Sequence, residues 1–228
     1  MTIASSGKVY IVGGGPGDPE LLTLKAKRII ESADVIIFAD SLVPPEVVEF
    51  AKEGARVVGS KEMNLDEIMD LELSSVREGK TVARVQSGDP SIYGAILEQM
   101  RILEQEGVDF EIIPGVSAAF AAAAVLRSEL TVPEKSQTII MTRMEGRVAM
   151  PAGEQLKDLA AHGCTMVIFL SITRMTKVVR ELTSSGYTED TPVAVVYRVG
   201  WPDQLIIRGT LKDIADKVRA AKITLQAL

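Results

Sequence analysis

A chain of 228 residues has room for one large or two small domains and for a substantial buried core. It is 46% apolar and 25% charged, as ordinary globular proteins are, and its net charge of −6 argues against general binding to nucleic acid or anionic membranes. The single cysteine, Cys164, excludes an intrachain disulfide and a thiolate zinc cluster and points to a reducing compartment.

Met1–Lys8 lacks the apolar core of a signal peptide, and the longest apolar-rich run, Ser117–Leu126, is too short to span a bilayer, so a cytoplasmic protein is expected. The first half alternates strand and helix signals. Val9–Val12 is an apolar run ending in glycines, and Glu20–Ser32 carries Leu21, Leu22, Leu24, Ile29 and Ile30 at helical spacing. Val35–Phe38 reads as a buried strand. Pro44–Lys52 reads as a helix opened by prolines, and Arg56–Val58 as a short strand. Asn64 caps a helix striped by Leu65, Ile68, Met69, Leu73 and Val76. The strand Thr81–Val85 follows, then a helix from Ser91 with Ile92, Ile96, Met100 and Leu103 on one face. Phe110–Ile113 is a fifth strand and leads through Pro114-Gly115-Val116-Ser117 into an Ala-rich helix.

This order predicts an α/β protein with a mainly parallel sheet in its first domain. In the second half, Gln137–Met141 and Thr165–Leu170 read as strands and Met175–Ser184 as a helix. Val193–Val196 and Leu205–Ile207 are spaced as an antiparallel pair, and Leu211–Ala221 is a last helix, so a mixed sheet is expected there. Pro133 interrupts the chain between the halves, which places the domains at 1–132 and 133–228.

Two Gly-rich turns stand at the carboxyl ends of predicted strands, where an open α/β sheet builds a ligand crevice. Gly13-Gly14-Gly15-Pro16-Gly17-Asp18-Pro19 is neither a dinucleotide fingerprint nor a P-loop. Asp18 replaces the last glycine of the former, Pro16 has no N–H to offer a phosphate, and no Gly-Lys-Ser/Thr follows. Alone, it reads equally well as a tight strand-to-helix turn. In Ser87-Gly88-Asp89-Pro90-Ser91-Ile92-Tyr93-Gly94, Gly88 permits close approach of a ligand. Asp89 places a carboxylate there, to accept either from a ligand or from backbone N–H groups. Arg143 and Arg147, with Arg174 at a later strand end, are candidates for a carboxylate clamp; the alternative for each is a solvated surface arginine. His162 precedes Gly163 at a helix end, and as the only histidine it has no partner for metal binding or acid–base work.

Taken together these motifs resemble the tetrapyrrole methylase family, from Lys8 to the C-terminus. The resemblance rests on Val12–Pro19, Ala39-Asp40-Ser41-Leu42-Val43, Ser87–Gly94, Pro114–Ser117 and Arg208-Gly209-Thr210-Leu211. Met63–Ile68, Ser136-Gln137-Thr138 and Thr142–Arg147 are most similar to the enzymes that methylate ring carbon C11 of a cobalt-containing corrinoid precursor in cobalamin biosynthesis. The resemblance implies two α/β domains with S-adenosylmethionine in the cleft between them, in a homodimer. By matched position the cofactor contacts fall on Pro16, Ser87, Gly88, Asp89, Ile92, Ser117, Ala118, Leu170 and Val199. Several members have methionine where this chain has Leu170 and glycine where it has Val199. Backbone contacts would survive both changes. The family's chain usually continues through a further strand that touches the cofactor, whereas this one stops at Thr224–Leu228, which puts the edge of the second sheet and some adenosine contacts in question.

The implied reaction is in-line transfer of a methyl from sulfonium to ring carbon, with no dedicated catalytic residue required, because positioning and exclusion of water can supply most of the acceleration. Asp40 and Glu145 are placed near the substrate as proton acceptors, and Arg143, Arg147 and Arg174 on its carboxylates. Any cobalt arrives inside the substrate, so no protein metal site is expected. A sister methylase acting at another ring position, or on the metal-free precursor, shares nearly all the motifs. An oxidoreductase would need the glycine that Asp18 replaces. A non-enzymatic scaffold would bind no cofactor.

Overall fold

The computed structural model describes residues 7–146 and 149–228. It divides into two compact units, the first ending at Ala118 and the second running from Ala119 to Leu228.

The first unit is built on five parallel strands: β1 (Val9–Gly13), β2 (Val35–Phe38), β3 (Arg56–Gly59), β4 (Val82–Gln86) and β5 (Phe110–Ile113), in the order β3-β2-β4-β1-β5. Helix α1 (Leu24–Ser32) follows β1, α2 (Leu65–Arg77) precedes β4, and α3 (Leu97–Gln105) follows it. The β1–β2 connection runs toward the β3 edge, whereas the connections through α2 and α3 run toward the β5 edge. Right-handed crossovers therefore put α1 on one face and α2 and α3 on the other. The cores agree. Val12, Ile36, Phe38, Ala83 and Val85 pack with Ala26, Ile29 and Ile30 of α1. Val9, Ile11, Val35, Ile37 and Val82 pack with Met69, Leu73 and Val76 of α2 and Leu103 of α3. Connections leaving β1 and β4 in opposite senses open a crevice at their carboxyl ends.

Asn64 caps α2 through a reciprocal pair with Glu67, as its position ahead of the apolar stripe suggested. Three expected helices are shorter. α1 starts only at Leu24, because Leu22 and Thr23 are extended and the Thr23 hydroxyl caps the Ala26 N–H at 3.1 Å. Pro44–Lys52 forms a single tight turn at Pro45–Val47; Pro44, preceding another proline, is held extended. The helix expected from Ser91 begins at Leu97, because Tyr93 and Ala95 adopt left-handed backbone (φ 56° and 51°) that no right-handed helix contains. Ile92 therefore lies on a turn, not on a helix.

The second unit holds α4 (Ala118–Leu126), which begins at the division, and then a parallel pair, β6 (Ile139–Arg143) with β7 (Thr165–Phe169). An antiparallel pair, β8 (Pro192–Tyr197) with β9 (Leu205–Thr210), completes the strands. Both strand senses are present, as expected, but as two separate ladders rather than one mixed sheet. Helices α5 (Leu156–Ala160) and α6 (Met175–Thr183) share a core with Met144 and Leu211, and α7 (Ile214–Ala220) packs on β8 through Ile214, Val218 and Val195. Residues 226–228 pair with the free side of β8 through Val196 and Arg198. Among the described residues, no helix is long and apolar enough to cross a membrane.

Candidate functional site

In the first unit the predicted cofactor residues collect at the carboxyl ends of β1, β4 and β5. These strands are neighbours, so their three following loops lie side by side. The first two are stitched backbone to backbone: Gly88 N–H donates to Gly15 C=O at 2.7 Å, and Gly15 N–H to Gly88 C=O at 3.3 Å. The third is drawn against both. A Cβ on Gly13 would stand 2.5 Å from Gly115 N and 2.9 Å from Gly88 O, and one on Gly115 would overlap the Gly88 carbonyl. Only glycine lets the three backbones meet. Gly88 itself sits at φ 64°, in the left-handed region, with nothing closer than 3.8 Å where a Cβ would project.

Asp89 fastens this arrangement. Its Oδ2 accepts from Gly115 N–H at 2.9 Å, and its Oδ1 from Ser91 N–H at 2.9 Å and from the Ser91 hydroxyl. Burial works to raise this carboxyl, yet the Ser91 hydroxyl and the Gly115 and Ser91 N–H groups together hold it below the usual carboxylate value of 3.8. Of the two roles the sequence left open for Asp89, acceptor of backbone N–H groups is the one its bonds display. Pro16 and Ser117 are buried, while Ser87 and Ala118 are half-buried. The following segment stores strain at Tyr93 and Ala95, a feature that concentrates at functional sites.

Asp40 is exposed just beyond β2, the strand next to β4. Its Oδ1 accepts from Lys61 N–H at 2.7 Å, and its carboxyl lies over Gly59, where a Cβ would come within 2.6 Å of Cγ.

In the second unit the predicted residues again sit at carboxyl ends of parallel strands. Arg143 ends β6 opposite Phe169 of β7, exposed Glu145 follows two residues later, and exposed Leu170 and Arg174 lie in the turn after β7. Ser171 ties the two ends together, its hydroxyl accepting from Met144 N–H at 2.8 Å and donating to Phe169 C=O at 2.7 Å. Leu170 is left-handed (φ 53°) and 67% exposed, an arrangement unusual for an apolar residue. Val199 is buried in the β8–β9 connection, after left-handed Arg198, whose guanidinium stacks on Trp201 and pairs with Asp203. Arg147 lies outside the described residues. A cavity of about 480 Å³ opens between β7, β8, α4 and α6; its lining is mostly apolar and includes none of the predicted site residues. No cluster of three or more potential metal ligands occurs among the described residues.

Residues 8–215 match the family model for tetrapyrrole (corrin/porphyrin) methylases. The chain belongs to the tetrapyrrole methylase family. It is a methyltransferase, and the cofactor of the family is S-adenosylmethionine. It is 57% identical, over 97% of its own length and 85% of the relative's, to a cobalt-precorrin-4 C(11)-methyltransferase of Methanocaldococcus jannaschii. To a precorrin-4 C(11)-methyltransferase of Pseudomonas aeruginosa it is 49% identical, over 96% of this chain and 87% of the other. A solved structure of a cobalt precorrin-4 methyltransferase of cobalamin biosynthesis superposes with a TM-score of 0.95 at 49% identity, covering 100% of this chain and 95% of that one. Of Gly13, Gly88 and Gly115, Gly88 is the one with room beside its Cα for a group such as the cofactor; the other two are closed by neighbouring backbone.

The tight contact of Gly13 and Gly115 went unremarked at the level of sequence, as did a buried polar group on the α2 side of the sheet. The signal for the second was present: Arg84 is a charge inside the apolar run Thr81–Val85.

Proposed function

We propose that this methylase transfers the methyl group of S-adenosylmethionine to ring carbon C11 of cobalt-precorrin-4, giving cobalt-precorrin-5A in cobalamin biosynthesis. The observation that carries the reading is the similarity, over nearly the whole chain, to the Methanocaldococcus jannaschii enzyme of that name.

When bound, the cofactor supplies a sulfonium methyl that the ring carbon takes as the C–S bond breaks, the bonding pair remaining on sulfur. The protein's part is to bind, orient and exclude water. In this reading Pro16, Ser87, Gly88, Ile92, Ser117 and Ala118 of the first unit, with Leu170 and Val199 of the second, contact the cofactor. Asp89 holds the Ser87–Ser91 and Pro114–Ser117 loops at the spacing those contacts need. Asp40 and Glu145 face the macrocycle and accept the proton that C11 chemistry releases. Arg143, Arg147 and Arg174 bind its carboxylates, for which guanidinium forks are suited. Cobalt is carried by the substrate. We further infer a cytoplasmic homodimer, on the family resemblance and on the sparse cysteine content.

A second reading, the metal-free substrate, is favoured by the Pseudomonas aeruginosa relative. One experiment separates them: anaerobic turnover with S-adenosylmethionine on cobalt-precorrin-4 and precorrin-4 in parallel, with the product read by mass and by the position of the new methyl. Methylation at C11 of the cobalt form alone is expected. Turnover of the metal-free form in preference assigns the second reading, and transfer to neither refutes both.

A further inference from the structure

Between the sheet and α2 lies a group of buried polar side chains that no step above uses. Arg84, in the middle of β4, is 5% exposed. Its Nη1 donates to the Ser60 hydroxyl at 3.0 Å and, at 3.4 Å, to the Ile37 carbonyl of β2. Ser60 is 8% exposed and grips β2 in turn, its hydroxyl donating to Phe38 C=O at 3.1 Å and its N–H to the same oxygen at 2.9 Å. Glu72 of α2 is 1% exposed, and neither of its carboxylate oxygens accepts a hydrogen bond from the protein. A charged residue in the centre of a parallel sheet costs stability, and natural sheets fill such positions with aliphatic side chains. Its presence calls for a task that an aliphatic residue could not perform.

The task is legible in what Ser60 is attached to. It sits between Gly59 and Lys61, the two residues that define the seat of Asp40: Gly59 lies beneath the carboxyl, and Lys61 N–H donates to it. Burial drags the Arg84 guanidinium below its usual value, while the negative charges of Glu72 and Asp40 both act to raise it. We infer that Arg84 and Ser60 are positioning residues for Asp40: Arg84 anchors Ser60, Ser60 anchors the Gly59–Lys61 turn to β2, and that turn holds the Asp40 carboxylate where it faces the substrate. This inference rests on the proposed role of Asp40 at the macrocycle. It assigns no contact with substrate or cofactor to Arg84, Ser60 or Glu72.

Ser60→Ala is the informative variant, because it removes one hydroxyl from a small residue and leaves the sheet's apolar packing intact. Losing one hydrogen bond to a charged group should raise the KM for the corrinoid about tenfold, while the affinity for S-adenosylhomocysteine stays within about twofold. Ser60→Thr, which keeps the hydroxyl, should restore the KM. The decisive arm is a double-mutant cycle with Asp40→Asn: because Ser60 acts through Asp40, the double variant should match Asp40→Asn alone. Additive losses in the double variant, or a Ser60→Ala protein that loses cofactor affinity in proportion to its substrate affinity, overturn the inference while leaving methylation at C11 in place. Absence of any turnover by the unsubstituted chain overturns the functional reading, and this one with it.

Discussion

Glu72→Gln offers a test that needs neither substrate nor cofactor. Burial pushes the Glu72 carboxyl from 4.5 up to about 7, with the charge of Arg84 pulling it down less strongly. That rise is worth about 3 kcal/mol between the two protonation states. Desolvation prevails because no group of the protein donates a hydrogen bond to either carboxylate oxygen. The folded value lies above the unfolded one, so the stability the neutral carboxyl contributes is complete below about 4.5 and is lost as pH rises through about 7. Glutamine has nearly the same shape and never ionises. The variant should therefore match the unsubstituted chain within about 1 kcal/mol at pH 5 and exceed it by about 3 kcal/mol at pH 8. Urea unfolding across this range, with each transition fitted separately because the chain has two compact units, measures the gap. A variant less stable than the parent at pH 8, or a gap that does not change with pH, would refute the reasoning: Arg84 would then already compensate the ionised carboxylate, and breaking the pair would be what the substitution reports.

Asp89→Asn should weaken S-adenosylhomocysteine binding and also cost the first unit on the order of 1–2 kcal/mol, since the carboxylate accepts from two backbone N–H groups. The Asp89 carboxyl is lowered in the folded state, so this stability gap should be present above the usual value of 3.8 and close as pH falls through the folded value. A gap unchanged in acid would count against it. Arg143→Ala should raise the corrinoid KM about tenfold or more with cofactor affinity unchanged, as expected for removing a charge-assisted bond to a substrate carboxylate; normal KM would exclude Arg143 from that role.

The parts of the fold that could be read in advance are those governed by local rules. Val35–Phe38 and Val9–Val12 are continuous apolar runs, the mark of parallel strands buried on both faces, and Asn64 with Glu67 spells out a capping box. What escaped depends on partners distant in the chain. Nothing in Tyr93 or Ala95 announces a left-handed backbone, because neither is a residue that favours it; they follow the turn in which the Asp89 carboxylate accepts from the Ser91 and Gly115 N–H groups. Gly115 looks like any loop glycine until β5 is laid beside β1, and only then does the overlap with Gly88 O explain it. Arg84 breaks the apolar pattern of its strand, but Ser60, whose hydroxyl accepts from it, comes from a segment ahead of α2. The loops at the strand ends show the same division: Asp89, which ties them together, was visible in the sequence, whereas the close approach of Gly13 and Gly115 emerges only from the packing.

That division bears on how the cofactor would be recognised. Both oxygens of the Asp89 carboxylate are occupied by the protein's own N–H groups, so on the proposed reading the β4 loop meets the cofactor largely through backbone, at Ser87 and Gly88. The same holds for Val199, whose side chain is buried and whose neighbour Arg198 turns the chain through a left-handed conformation. On the proposed reading, in which the cofactor meets backbone at Val199, the identity of the side chain there matters little to that contact. Leu170 is the opposite case. Its left-handed backbone presents a side chain 67% exposed, so on the proposed reading a substitution there alters the apolar surface offered to the cofactor. Substitutions at these two positions therefore act on different properties: at Val199 on the conformation of the β8–β9 turn, at Leu170 on the contact itself.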